Sequence, residues 1–240
     1  MTTFLQDIEP RRPVTQVISE EIISWIASGK FKPGSHLPPE IELANQFGVS
    51  KPSVREALKQ LVAFGAIEIK HGRPATVRAM NSAPLVNFFH LAVTAESGGL
   101  REAVELRRGL EVQSVFLATQ RASDAEIANL ERIVALLNCH KADRELWVPV
   151  HVEFHLALVQ AAHNRFLSFL LDALKETIER SNRLIIAAQP NRNPEIAFAR
   201  HLAIFNAVKS RNTEQARLAI EEHFDAVDKV LATTFPAELS

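Results

Sequence analysis

The chain has 240 residues, 47% hydrophobic and 23% charged, with a formal net charge of −1, a composition that excludes intrinsic disorder and suits two domains, each with its own core. The balanced charge excludes a uniformly basic surface. Residues 1–13 carry acids and lack the basic flank and apolar run of a secretion signal, and no later run is apolar for long enough to span a bilayer, so a cytoplasmic protein is expected. The single cysteine, Cys139, excludes an internal disulfide framework.

In chain order, Val14, Val17, Ile18, Ile22, Trp25 and Ile26 recur at helical spacing, and Gly29 can end that helix. Lys32-Pro33-Gly34-Ser35 is a turn. Pro38-Pro39-Glu40 opens a short helix with Ile41, Leu43, Ala44 and Phe47, stopped by Gly48; Ser50 caps a third with Val54, Ala57, Leu58 and Leu61 inward. Two short helices around a tight Gly48-Val49 turn form a helix-turn-helix. Beyond Gly65 the period changes to two: Ile67 and Ile69 alternate with Glu68 and Lys70, His71-Gly72 turns the chain, and Ala75 to Arg78 return as a second strand. Three helices and a hairpin wing predict a winged helix over residues 13–79, with the third helix in the DNA major groove and the wing tip at phosphate or the minor groove. Lys51 and Arg55, four apart, share a face and can donate to base edges, while Ser50 and Ser53 suit phosphate. From Glu42 to Arg78 six bases (Lys51, Arg55, Lys59, Lys70, Arg73, Arg78) face three acids (Glu42, Glu56, Glu68), a local excess of positive charge. A lone recognition helix covers few base pairs, so a homodimer on a two-fold symmetric operator is expected.

The motifs Lys32-Pro33-Gly34-Ser35-His36-Leu37-Pro38, Glu42-Leu43-Ala44, Gly48-Val49-Ser50 and Val54-Arg55-Glu56-Ala57-Leu58 resemble the signature of the GntR family, and the wing Lys70-His71-Gly72-Arg73-Pro74 resembles its FadR-like branch. The resemblance implies a transcription regulator, not an enzyme. It assigns groove reading to Lys51 and Arg55 and minor-groove entry to His71 and Gly72, beside Arg73. Ile41 and Lys51 depart from the family's usual arginines, and Lys51 offers a point charge in place of a bidentate fork.

Residues 80–84 read as a polar linker, and residues 85–234 as an all-helical domain: a mainly α chain ending in an antiparallel bundle of six or seven helices. Short Leu85–Ala95 precedes Leu100–Arg121. Ser123-Asp124-Ala125-Glu126 is a capping box for a helix reaching Asn138. Arg144–Ala162 follows, bent or restarted at Pro149, then Asn164–Gln189 as one helix, a helix entered by Asn193-Pro194 and ending near Ser210, and a last one capped by Thr213. Of the nine histidines, His151 and His155 stand at i and i+4, His201 lies among Phe198, Ile204 and Phe205, and His223 sits between Ile220 and Phe224. Each taken singly fits an ordinary core or surface histidine; four that converge from three helices fit a metal site.

Leu106-Arg107-Arg108-Gly109-Leu110-Glu111, Phe154-His155 ahead of Asn164, the His201 helix and His223 resemble the ligand-binding domain of FadR-like regulators. Many members hold a divalent metal through Asp-x-x-x-His and two later histidines, so the resemblance implies His155, His201 and His223 as ligands, with His151 in the aspartate's place. An all-nitrogen set favours zinc or nickel. The resemblance also implies a small organic acid as effector. Arg107 could pair with its carboxylate or form a surface ion pair with Glu111; Asn164 could bond the effector or cap a helix. A metalloenzyme with a DNA-binding appendage and a purely structural metal are the competing readings. Glu153 projects away from His151 and His155, which removes the carboxylate a hydrolytic base would need.

Overall fold

A computed structural model describes residues 12–95, 98–189 and 191–234. Two compact units divide the chain between Pro84 and Leu85. No helix among the described residues is long and apolar enough to cross a membrane.

The first unit contains α1 (Val14–Ala27), α2 (Glu40–Phe47), α3 (Lys51–Ala63), β1 (Ile67–Glu68) and β2 (Thr76–Val77). Its core takes Ile18, Ile22 and Trp25 from α1, Leu43 from α2, Val54, Leu58 and Leu61 from α3, and Ile67 and Val77 from the hairpin. These are the apolar positions at helical and strand spacing, so burial rather than propensity fixes the unit. Gly48 ends α2 at φ 63°, a left-handed conformation that costs other residues strain. Two residues later the Ser50 hydroxyl accepts the Ser53 N–H at 3.3 Å and starts α3. The tight turn therefore follows from one glycine and one cap. The wing is antiparallel, with Ile67 opposite Val77 and Glu68 opposite Thr76. It is shorter than the alternation predicts, since Ile69 and the residues to Ala75 are outside the ladder. The turn after α1 supplies a lane of its own: Leu37 N–H donates to the Ala75 carbonyl at 2.8 Å and Val77 N–H to the Ser35 carbonyl at 2.9 Å, pairing that no periodicity announces.

All remaining elements are helical: α4 (Ala83–Ala95), α5 (Gly99–Arg121), α6 (Asp124–His140), α7 (Arg144–Ala161), α8 (Arg165–Ala173), α9 (Lys175–Ala187), α10 (Pro194–Lys209) and α11 (Thr213–Thr234). The mainly α fold with an N-terminal winged helix and a C-terminal bundle is as expected. Among the described residues the count reaches eight, because Asn164–Gln189 is two helices that meet at the fully buried Leu174. Its N–H is shared between the Leu170 and Leu171 carbonyls, at 3.2 and 3.1 Å. The Ser123 capping box forms in both directions. α7 runs through Pro149 without interruption. The last helix is capped by Asn212, whose Oδ1 accepts the Gln215 N–H at 3.0 Å, one residue before the expected Thr213. Arg211, at φ 59°, turns the chain just ahead of it. Phe154, Leu158, Ile204, Phe205, Ile220 and Phe224 close a core from α7, α10 and α11, the three helices that carry the four histidines.

Candidate functional site

The helical i, i+4 spacing puts His151 and His155 on the buried face of α7, and α10 and α11 add His201 and His223. One nitrogen from each of these four buried imidazoles lies within 4.8 Å of the other three. The hydrogen bonds around them fix which nitrogen is offered. His201 Nδ1–H donates to the Ala197 carbonyl at 2.7 Å, which leaves its Nε2 with a lone pair and no partner. His223 Nε2 is likewise buried and unpartnered. His155 Nδ1–H donates to Glu111, so its Nε2 faces His151 Nε2 at 3.2 Å. The Asn182 amide, on α9, donates to His151 Nδ1 at 3.0 Å and so places the His151 proton on Nε2. A half-turn of that amide would present its oxygen to Nδ1 and release Nε2 as a fourth donor.

Buried polar atoms without partners are rare and costly, and two of them here are basic nitrogens aimed into one cluster. The residues therefore fit a bound cation: the cluster is capable of coordinating a metal ion. Burial, the largest cause, holds His151, His155 and His223 well below the ordinary 6.5 and His201 at about 4. All four are neutral at pH 7, the state a metal requires. Burial also raises the Glu111 carboxyl, against the nearby Arg107 guanidinium, which lowers it.

In the unfolded chain the histidines titrate near 6.5. Unfolding thus takes up protons as pH falls from 6.5 towards 4, and the folded state, whose imidazoles are depressed, loses stability across that window. The stabilisation is complete above 6.5. Between pH 7 and pH 5 His201 alone contributes about 2 kcal/mol; the raised Glu111 acts in the opposite direction as one group against four. The thermal midpoint of chelator-treated protein should drop on going from pH 7 to pH 5, and drop less in a His201→Gln, His223→Gln variant. Equal pH dependence in both proteins would refute the assignment of buried neutral histidines.

Arg107 and Glu111 do form the anticipated i, i+4 ion pair, but inside the bundle rather than on a surface, with 2% and 1% of their side chains exposed. Arg107 Nη2 has no partner, and its guanidinium carbon lies 5.2 Å from the Phe224 ring centroid. Asn164 accepts the Phe166 and Leu167 N–H groups at 3.1 and 3.4 Å as the cap of α8, and is not among the side chains lining the histidine cavity. Glu153 pairs with Arg132 at 2.6 Å on the exterior. The cavity itself, about 70 Å³, is lined by His151, His201, His223, Trp147, Asn182, Arg192 and Arg200 among others. Asn182, Arg192 and Arg200 were not singled out by the sequence.

In the first unit, Lys51 and Arg55 project together from α3, each with about half its side chain exposed. Glu40, at the start of α2, accepts two bonds from Arg55, Nε at 3.2 Å and Nη2 at 2.9 Å, and lies 3.9 Å from Lys51 Nζ. The Arg55 bond, opposed by burial, keeps the Glu40 carboxyl below its ordinary value. Glu40 thus orients the guanidinium fork, a role that only the folded chain reveals. Ser50 and Ser53 hydroxyls bond each other at 2.8 Å. His71, Gly72 and Arg73 are exposed at the wing tip, where Gly72 takes φ 69°. Ile41 is 62% exposed, an apolar side chain on the outside of α2.

Comparison with known proteins agrees with both units. Residues 14–77 match the family of bacterial regulatory proteins of gntR type, and residues 102–226 match the FCD domain. The Glc operon transcriptional activator of Escherichia coli is 30% identical over 93% of this chain and 91% of its own. The HTH-type transcriptional regulator LutR of Bacillus subtilis is 29% identical, covering 88% of this chain and 97% of its own. The HTH-type transcriptional repressor NanR of Edwardsiella tarda is 28% identical over 90% and 85%. A Streptococcus agalactiae GntR structure shares the fold, with a TM-score of 0.70 at 22% identity over 90% of this chain and 99% of that one. The chain belongs to the GntR family, in its FadR-like branch with a C-terminal FCD domain, and is a non-catalytic, DNA-binding transcription regulator that responds to a small molecule.

Proposed function

We propose that this regulator senses a small organic acid at a divalent metal held by His151, His155, His201 and His223, zinc or nickel being favoured, and that it binds a two-fold operator as a homodimer. Residues 13–79 read the DNA, 80–84 connect, and 85–234 sense and dimerise. The observation that carries the reading is the pair of buried, unpartnered nitrogens on His201 and His223, opening onto a cavity. When bound, the ion supplies a Lewis-acidic centre with positions open to a carboxylate. Glu111 holds the His155 ring by its Nδ1–H, and His201 is held by its own helix carbonyl. His151 would offer a fourth nitrogen if the Asn182 amide presented its oxygen to Nδ1. Arg107, whose Nη2 is buried and unpartnered, is the candidate donor to the effector carboxylate, although its side chain is not among those lining the cavity. Asn164 caps α8 and is assigned no contact with the effector. On the DNA, Lys51 and Arg55 read bases, Ser50 and Ser53 hold phosphate, and His71, Gly72 and Arg73 enter beside them at the wing.

An effector changes operator affinity only by binding the two states of the protein unequally, typically by about 5- to 150-fold. Small carboxylates should bind the metal-loaded protein and hardly bind the stripped one, as read by calorimetry, and should shift operator affinity in wild type but not in His155→Ala. Equal binding to stripped protein, or an undiminished shift in His155→Ala, would make the metal structural and move sensing elsewhere.

A further inference from the structure

The cavity that presents His151, His201 and His223 is also lined by Arg192 and Arg200. Arg192 lies just before α10, its guanidinium carbon 5.1 Å from the Trp147 ring centroid, and Arg200 immediately precedes His201 on α10. Both are half-buried. Among the described residues neither has a carboxylate partner, unlike Arg107, Arg108, Arg183 and Arg217 of the same unit. Burial, and then repulsion from Arg144 and Arg200, lowers the Arg192 pKa. The same two arginines line an outer vestibule whose lining contains no histidine, so they stand where the inner cavity meets solvent. The vestibule also has Glu222 and Asp225. Asp225 is engaged by Arg108 at 2.7 Å, and among the described residues no ion pair joins Glu222 to either cavity arginine.

We propose that Arg192 and Arg200 form an anion subsite that takes the second carboxylate of a dicarboxylate effector whose first carboxylate lies at the histidine end of the cavity. The proposal rests on the reading that a carboxylate is sensed there, and it narrows the ligand class. Guanidinium forks match carboxylates in two-point geometry, and a partly desolvated pair gains most from an anion supplied from outside. The inner cavity is small, about 70 Å³, so a short dicarboxylate would seat one end there with its far carboxylate at the arginines. Trp147, Ile186 and Val227 wall the space and oppose bulkier acids.

The test uses the full-length, metal-loaded protein and calorimetry with succinate and glutarate against butyrate and valerate, monoacids of matching length. The dicarboxylates should bind roughly tenfold to hundredfold more tightly. Arg192→Gln, Arg200→Gln should erase that advantage while leaving butyrate affinity, metal content and thermal midpoint unchanged. Arg200→Gln alone should erase part of it, which keeps the test decisive if the double variant is poorly folded. Equal affinity for succinate and butyrate in wild type, an advantage that survives both substitutions, or no binding of any of the four acids would overturn the subsite. Butyrate that needs the metal while succinate gains nothing would overturn the subsite and leave metal-dependent sensing intact. An arginine-dependent succinate advantage in chelated protein would support the subsite and overturn the role of the metal.

Discussion

Wild-type protein should carry about one divalent ion per chain, a site of this kind holding a single ion, and a His201→Ala, His223→Ala variant should lose it. The two substitutions remove the two imidazole nitrogens that are buried without partners, so the cluster loses half its donors. Metal bound at about a hundredfold above its Kd contributes roughly 2.7 kcal/mol to the folded state. For a chain of this size that raises the thermal midpoint by roughly 5–10 °C. Elemental analysis should find metal in the wild type and background in the variant, and the midpoint of the wild type should fall on chelation while that of the variant stays fixed. The chelated wild type serves as the folded, metal-free reference, which separates loss of donors from the cavities that alanine creates. Equal metal in both proteins would remove His201 and His223 from the site.

Arg55→Ala should cost the second large effect, on operator binding. A well-placed bidentate contact discriminates against a wrong base by about 1–3 kcal/mol. The proposed homodimer would make the contact twice, so affinity for an operator selected in vitro should fall by roughly 30-fold to 10⁴-fold. Because the loss is in base reading, affinity for random duplex and the dependence on salt should change far less. Arg55→Lys should keep the charge and still lose most of the discrimination, since the fork that Glu40 orients through two bonds would be gone. Fluorescence anisotropy on operator and scrambled duplexes at two salt concentrations measures both quantities. A specific-to-nonspecific ratio that is unchanged in Arg55→Ala would mean that this guanidinium reads no base.

The elements most legible in the sequence were those announced by local chemistry. Ser50, the Ser123 capping box and Asn193-Pro194 each place a helix start by the bonds they make. The break at Leu174, a fully buried leucine, has no glycine or proline to announce it. At Asn212-Thr213 two good capping residues are adjacent, and the left-handed Arg211 decides in favour of the first. For the site, the i, i+4 pair on α7 was readable and its convergence with His201 and His223 was supplied by resemblance. Arg107-Glu111 has the spacing of a surface ion pair, and only burial tells otherwise. Asn191-Arg192-Asn193 looks like a solvated turn, so nothing local marks Arg192 as part of a cavity.

The chain has two tryptophans and no tyrosine. Trp25 belongs to the first unit, stacked on Phe47 at 5.4 Å. Trp147 meets His201 edge-on at 5.5 Å and carries the Arg192 guanidinium over its face. Each unit therefore contains its own intrinsic fluorophore, and in a Trp25→Phe background all indole emission comes from the wall of the histidine cavity. Metal loading, effector entry and release could then be followed in real time by quenching or spectral shift, without attaching a dye to the protein.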